Sequence, residues 1–462
     1  MSLITSISGI RGTIGGNPQE NLTPPDLVRF ASAYGQFLLE KNAPTVGTIV
    51  IGRDARPSGA MLFQLVSGTL NAMGFDIIDL GLSTTPTVEM AVKQHKAVGG
   101  IILTASHNPQ QWNALKLLDH EGNFLNAQAG EQILALAEKA HFSYALVENL
   151  GKITTDNNAL SQHIEAILQL DLVHVEAIRQ ANFTVAFDAV NSSGSFAVPQ
   201  LLNALGVNRI HGIHNEANGW FPHNPEPLPQ HLGDLCHLVQ KTASDIGIAV
   251  DPDVDRLVLI TEKGEPLGEE NTLVCIADYI LQHTPGACVS NLSSSRALAD
   301  IAQKYHCQYH KAAVGEVNVV EKMKTVNAVI GGEGNGGVIY PPLHYGRDAL
   351  VGIALLLSYL AERKISLSHL QAELPHYAIV KDKFEASAQL NLAEALQKIE
   401  QQYADYPLNT VDGLRIDFPD SWVHLRRSNT EPIIRIIAEA PKFDNAQNLV
   451  NSFKNKLQHL LS

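Results

Sequence analysis

Short apolar runs that stop at polar turns, with helical stretches between them, recur through most of this chain. They lie at 48–52, 76–80, 98–103, 183–187 and 245–250, and the same form returns at 256–261, 287–291, 308–310 and 327–331. A strand buried on both faces reads as a continuous apolar run rather than an alternating one, as in parallel sheets covered by helices. Apolar residues at helical spacing over 22–39, 87–95, 159–180, 230–242 and 347–363 supply those helices. The chain therefore reads as α/β in repeated passes. The third pass is expected to start at Arg256. Residues 154–158, Thr-Thr-Asp-Asn-Asn, read as a linker. Beyond 369 the order changes. Strands near 376–382, 412–416, 421–425 and 432–439 combine with helices near 388–403 and 443–460, which predicts a smaller α+β domain with an antiparallel sheet.

The bulk properties exclude several classes. A formal net charge of −14 over 462 residues argues against a nucleic-acid partner, which needs a basic face. A few arginines still make a local site for an anion. Cys236, Cys275, Cys288 and Cys307 have neither C-x-x-C pairing nor zinc-ligand spacing, and read as reduced core residues of a cytoplasmic protein. No segment reads as a signal peptide or a membrane span, so no membrane partner is expected.

The polar turns carry the chemistry. The run at 98–103 empties into Thr104-Ala105-Ser106-His107-Asn108-Pro109, at the strand end where open α/β sheets place ligands. Ser106 there suits a nucleophile or phosphate carrier; the same residues also make a plain Ser/Asn turn. Lys116, amid the apolar residues of 112–118, is a candidate acid/base group, its pKa expected to fall towards neutrality near other cations. The alternative is a lysine on the solvent side of a strand. Arg11 stands between Gly9 and Gly12, where the backbone can approach a ligand; a hairpin with a solvent-facing arginine fits as well.

The strand at 245–250 ends in Asp251-Pro252-Asp253-Val254-Asp255-Arg256. Alternate aspartates in an extended segment point to one side, and converging carboxylates call for a divalent cation. A calcium loop is excluded, because its sixth position needs glycine and is Arg256 here. Mg²⁺ fits better, against the alternative of a solvated acidic turn. Residues 332–337, Gly-Glu-Gly-Asn-Gly-Gly, match a dinucleotide fingerprint in form only, since no helix follows. They read as a loop carrying Glu333 and Asn335 to a polyhydroxyl ligand. Finally, Arg426-Arg427-Ser428-Asn429-Thr430-Glu431-Pro432, with Arg435 beyond, reads as a phosphate nest or an ordinary hairpin with exposed arginines.

Taken together and in this order, the serine loop, the aspartate loop, the glycine loop and the arginine loop resemble those of the α-D-phosphohexomutase superfamily. The resemblance covers nearly the whole chain, from Gly9-Ile10-Arg11-Gly12 onward. It implies three related mixed-sheet α/β domains and a smaller C-terminal one around a central cleft. The expected domains are 1–152 with the phosphoserine loop, 153–255 with the metal loop, 256–368 with the sugar loop and 369–462 with the phosphate loop. It implies that Ser106 carries a phosphoryl group, and that Asp251, Asp253 and Asp255 hold one Mg²⁺ beside Ser106. Arg11, His107 and Lys116 join Ser106 as catalytic residues, with Arg256 nearby. Glu333 and Asn335 would grip sugar hydroxyls. Arg426, Ser428, Asn429, Thr430 and Arg435 would hold the phosphate that is not reacting.

The implied reaction interconverts hexose 6-phosphate and hexose 1-phosphate through a 1,6-bisphosphate, which also serves as activator, in a monomer or homodimer. Bacterial phosphomannomutase/phosphoglucomutase relatives have Ser and His where this chain has Asn335 and Gly337, and Gly where it has Ala114. His344 is a candidate stand-in for the missing histidine. The glycine loop is similar to that of the archaeal-type branch, which points to glucosamine phosphate, with mannose and glucose phosphates as alternatives. A metal-dependent sugar phosphatase and a non-catalytic sugar-phosphate binder are the other classes.

Overall fold

The structure, a computed structural model, describes residues 3–6, 9–42, 46–385, 392–427 and 433–461. The chain forms two compact units, Met1–Thr272 with Asn335–Ala372, and Leu273–Gly334 with Glu373–Ser462.

In the first unit a seven-stranded sheet runs in the order Ile4–Ser6, Gly9–Thr13, Trp112–Leu118, Gly99–Leu103, Thr48–Arg53, Asp76–Leu82, Ile153–Thr155. Its middle strand, Gly99–Leu103, is buried along its length. It runs parallel to Thr48–Arg53 and antiparallel to Trp112–Leu118. Ile101 and Leu103 pack on one face with Leu27, Phe30 and Tyr34 of the helix Pro24–Asn42. Ile102 packs on the other face with Val88 and Val92 of the helix Thr85–Gln94. Each such side chain contributes about 1.5–3 kcal/mol through burial. The glycines that open the strand have a steric reason. A Cβ on Gly99 would stand 2.1 Å from the Tyr34 hydroxyl, which donates to the Leu118 carbonyl at 2.7 Å.

Two expectations change here. The linker at 154–158 begins inside a strand, because Ile153–Thr155 pairs parallel to Asp76–Leu82. It is an exposed edge strand and lacks the apolar pattern that marks the others. The run at 256–261 does not open the third pass. Leu257–Thr261 pairs antiparallel to Ile246–Val250 and completes a second sheet, ordered Leu257–Thr261, Ile246–Val250, Thr184–Asp188, Arg209–Ile213. The turn at 251–256 reverses the chain, with Val254 at φ +62°. The helix Ala349–Arg363 belongs to the same unit and is buried from Ala349 through Ala361.

The second unit holds the parallel strands Tyr309–Ala312, Cys288–Asn291 and Ile330–Glu333. It also holds the C-terminal antiparallel sheet, ordered Ala378–Glu385, Ile433–Ala440, Trp422–Arg427, Leu414–Asp417, Leu408–Asn409. Ile399 of the helix Leu392–Gln402 and Phe453 of the helix Phe443–Leu461 pack on that sheet with Ile416, Val423 and Ile436. The expected α/β domains and the α+β C-terminal domain are therefore present. Among the described residues, no helix is long and apolar enough to cross a membrane.

Candidate active site

Ser106 follows the buried strand Gly99–Leu103 and sits at φ +48°, a conformation that side chains other than glycine adopt rarely. Holding it there costs of order 1–3 kcal/mol, so the surroundings must impose it. Arg56 does so. Its buried guanidinium donates to the carbonyls of Ser106, Asn108, Pro109 and Trp112. Asp54 fixes the guanidinium through Nε at 3.0 Å and also accepts from Thr104 Oγ1 at 2.6 Å. The clamp aims Ser106 Oγ at Asp251 Oδ2, to which it donates at 2.7 Å. Sequence reasoning missed Arg56 and Asp54. Their one signal was position, at the end of the strand Thr48–Arg53 beside the serine strand. Arg56→Lys replaces a planar fork with a single ammonium that cannot serve four carbonyls. The expected result is a kcat about 10²-fold lower, since small misplacements of a reacting group cost that much. A wild-type kcat would show that the loop holds its shape unaided.

The aspartates converge through the turn rather than through extended alternation, which corrects the expectation. The left-handed Val254 folds the segment so that the Val254 amide donates to the Asp251 carbonyl. All three carboxylates are buried, with ligand atoms within 4.8 Å of one another. Asp251 Oδ1 accepts from the amides of Asp255 and Arg256 at 3.1 Å. Asp253 Oδ2 accepts from Thr85 Oγ1 at 2.6 Å and Lys116 Nζ at 2.7 Å. Asp255 Oδ2 faces an Arg347 guanidinium nitrogen at 2.6 Å. The second oxygens, Asp253 Oδ1 and Asp255 Oδ1, are buried and accept from no donor. An orphaned buried acceptor costs about 1–3 kcal/mol, and more when charged. Two such oxygens beside the serine suit a hard divalent cation with oxygen ligands, so this donor set fits Mg²⁺.

The charges around the trio set its neighbours' protonation. Burial, then Asp255 and Asp253, push the Asp251 carboxyl well above the usual range. Burial also raises Asp253, but the Lys116 ammonium outweighs it and the net shift is downward. Lys116 overturns the expected fall in pKa. Burial lowers it, yet Asp253, and Asp255 at 3.7 Å, more than compensate, so its pKa rises and it stays charged. His107 goes the other way, to about 2, through burial and the charges of Arg256 and Arg347. Its ring is neutral and accepts from Arg256 Nη2 at Nδ1, 2.9 Å away. Arg256 also pairs with Glu226 at 3.3 Å. Arg11 lies opposite Ala114 across the strands Gly9–Thr13 and Trp112–Leu118, on the sheet face that also carries Lys116.

His344, the candidate stand-in, is held by two carboxylates. Its Nδ1 lies 3.3 Å from Glu89 Oε2 and its Nε2 3.3 Å from Asp348 Oδ2, so both ring nitrogens are engaged. Asp348 also accepts from His163 Nε2 at 2.9 Å and caps the helix Ala349–Arg363. Burial disfavours the imidazolium, but Asp348 and Glu89 outweigh it and raise the His344 pKa from 6.5 to about 10. A group raised on folding stabilises fully below its unfolded pKa and loses that contribution as pH climbs through the folded one. The expected result is that wild-type stability drains between about pH 6.5 and 10, and that His344→Gln removes this slope and lowers Tm at pH 7. Parallel Tm curves for the two proteins across that window would contradict the assignment.

In the second unit, Glu333 ends the strand Ile330–Glu333, where its Oε1 accepts from Asn291 Nδ2 at 2.8 Å and the Gly315 amide at 3.1 Å. Asn335, in the first unit, accepts from the Gly337 amide at 3.2 Å. In the C-terminal sheet Arg426 stands directly opposite Arg435, and Arg435 opposite Lys383. Three cations abreast on one sheet face repel one another unless an anion joins them. Arg426 is steadied by Asp412 at 2.8 Å and Lys383 by Glu385 at 2.7 Å. Lys383 was missed, because its place in this row depends on register. Ser428, Asn429 and Thr430 lie outside the described residues.

Comparisons with known proteins agree with this geometry. Family models described as phosphoglucomutase/phosphomannomutase match along the chain: alpha/beta/alpha domain I over residues 3–144, domain II over 161–264, domain III over 269–377 and the C-terminal domain over 378–456. The chain belongs to the phosphoglucomutase/phosphomannomutase family. Among individual relatives it is 32% identical to a probable phosphoglucosamine mutase of Methanopyrus kandleri, covering 96% of each chain. It is 34% identical to a phosphoglucomutase/phosphomannomutase of Thermococcus kodakarensis, over 94% of this chain and 95% of that one. A phosphoglucosamine/phosphogalactosamine mutase of Sulfurisphaera tokodaii is 32% identical over 98% and 99%. The crystal structure of a putative phosphomannomutase from Thermus thermophilus superposes with a TM-score of 0.83 at 25% identity, covering 99% of this chain and 100% of that one.

Proposed function

We propose that the protein is a phosphohexomutase that interconverts hexose 6-phosphate and hexose 1-phosphate, with glucosamine phosphate its preferred substrate. The observation that carries this is Ser106 Oγ, 2.7 Å from Asp251 beside two buried carboxylate oxygens that have no donor. A phosphoserine there donates its phosphoryl group to a sugar hydroxyl, giving the 1,6-bisphosphate. The bisphosphate turns over, and its original phosphate passes to the serine. Phosphoryl transfer needs alignment and charge neutralisation more than covalent strain. Mg²⁺ held by Asp251, Asp253 and Asp255 with the phosphoserine would supply part of that neutralisation. Arg256, Arg347 and Lys116 supply charge from the protein itself. Lys116 keeps its proton, so it serves as hydrogen-bond donor and electrostatic partner. His107, neutral, shares its Nδ1 lone pair with Arg256. Glu333 and Asn335 grip sugar hydroxyls. Arg426, Arg435 and the hydroxyls of 428–430 hold the non-reacting phosphate. The same reading is of a cytoplasmic enzyme, supported by four cysteines that are all free.

The amino-sugar preference is supported by the relatives named probable phosphoglucosamine mutase and phosphoglucosamine/phosphogalactosamine mutase. The relative named phosphoglucomutase/phosphomannomutase supports glucose and mannose phosphates as the second reading. The test is a coupled isomerase assay with Mg²⁺ and a trace of hexose 1,6-bisphosphate. It compares kcat/KM for glucosamine 6-phosphate, mannose 1-phosphate and glucose 1-phosphate. A hundredfold preference for the amino sugar is expected. Comparable rates on the neutral sugars favour the second reading. Inorganic phosphate without any isomer would make the protein a phosphatase.

A further inference from the structure

A second set of metal-ligating side chains lies apart from the three aspartates. Asp188 ends the strand Thr184–Asp188 and is buried, while His214 and His223 come from the long loop after Arg209–Ile213. His214 Nδ1 at 2.9 Å and His223 Nε2 at 3.1 Å approach the same oxygen, Asp188 Oδ2. The three ligand atoms lie within 4.8 Å of one another. Ligands about 2.0–2.2 Å from a tetrahedral ion stand about 3.3 Å apart, so little movement separates this arrangement from coordination.

The far side of the His223 ring is what points to an ion. His223 Nδ1 lies 2.8 Å from the Asn224 carbonyl, an acceptor only, so that nitrogen carries a proton. Its Nε2 then meets Asp188 Oδ2 with a lone pair unless a cation, either a second proton or a metal, stands between them. A ligating histidine usually gives its other ring N–H to a carbonyl or carboxylate, as His223 does here. Asp188 Oδ1 is itself fixed by the Val190 amide at 2.9 Å, which leaves Oδ2 for the centre. The His214 and His223 side chains are 20% and 18% exposed, so a fourth position opens to water.

We propose that Asp188, His214 and His223 form a second cation site, for a divalent transition metal such as Zn²⁺ or Co²⁺, with water as the fourth ligand. Two imidazoles select against Mg²⁺, which prefers oxygen. An ion there ties down the loop that braces the serine loop. Within that loop, the Phe221 amide donates to Gln110 Oε1 at 3.2 Å, the Arg56 guanidinium lies 4.9 Å from the Phe221 ring centre, and Glu226 pairs with Arg256 at 3.3 Å.

The test is a titration of the full-length protein with Co²⁺ in excess Mg²⁺, which absorbs no visible light, read by the visible band of tetrahedral Co²⁺. One equivalent is expected to bind. His214→Asn keeps a residue that tolerates the backbone at φ +45°. That variant and His223→Gln are each expected to weaken Co²⁺ binding at least tenfold, with unchanged circular dichroism in metal-free buffer. Asp251→Asn is expected to leave the band intact. Absence of the band in the wild type overturns the proposal. So does a band lost in Asp251→Asn but kept in both histidine variants, which would assign the ion to the aspartates.

Discussion

Ser106→Ala is expected to lose mutase turnover by a factor on the order of 10⁴ or more while keeping its fold, because removal of a covalent carrier leaves only binding and electrostatics. The side chain contributes little to packing. Its Oγ is engaged by Asp251 at 2.7 Å and His107 at 3.3 Å, and the loop is shaped by Arg56 acting on backbone carbonyls. Alanine therefore keeps the loop and removes only the hydroxyl. The fold is checked by circular dichroism, and the chemistry by transfer of labelled phosphate from hexose 1,6-bisphosphate. Label is expected on the wild type, on Ser106, and none on the variant. Wild-type-like turnover, or label that persists without Ser106, would sink the assignment.

The serine and the aspartates were legible in the sequence because each follows a strand buried on both faces. A continuous apolar run that ends in charged residues leaves those residues few places except the sheet's edge. What escaped was set by partners remote in the chain. The sign of the Lys116 shift depends on Asp253, 137 residues away, and no local pattern encodes it. Arg56 reads as a surface arginine until its partners, 50 to 56 residues on, are placed over it. The partners of His344, Glu89 and Asp348, meet it only in the folded protein. The strand Leu257–Thr261 is as apolar as its neighbours, so its composition gave no sign that the aspartate turn reverses it into the second sheet. The row of Lys383, Arg435 and Arg426 is a consequence of register, which one-residue shifts would abolish.

Asp251→Asn is expected to make the metal-free protein more stable while making the enzyme inactive. Asparagine keeps the shape. Its carbonyl can accept from the Asp255 and Arg256 amides as Oδ1 does now, and its amide can donate to Ser106 Oγ. What it removes is a buried charge that burial, Asp255 and Asp253 all disfavour. A carboxyl whose pKa rises on folding costs stability as pH climbs through the folded value, and costs nothing below the unfolded one. In EDTA the variant's gain, roughly 2 °C or more in Tm, is therefore expected at pH 8 and gone by about pH 4. Mg²⁺ reverses the order. Saturation at a hundredfold excess over Kd adds about 2.7 kcal/mol to a protein that binds the ion only when folded. The wild type is expected to gain most of that and the variant little, with turnover down by at least about 10²-fold, the scale seen when one electrostatic partner of a reaction is removed. A variant less stable than wild type in EDTA at pH 8 would mean that Asp251 is held chiefly by its hydrogen bonds. An equal Mg²⁺ increment in both proteins would remove Asp251 from the metal site. The strain that the three carboxylates place on the empty fold is, on this account, what the bound ion relieves.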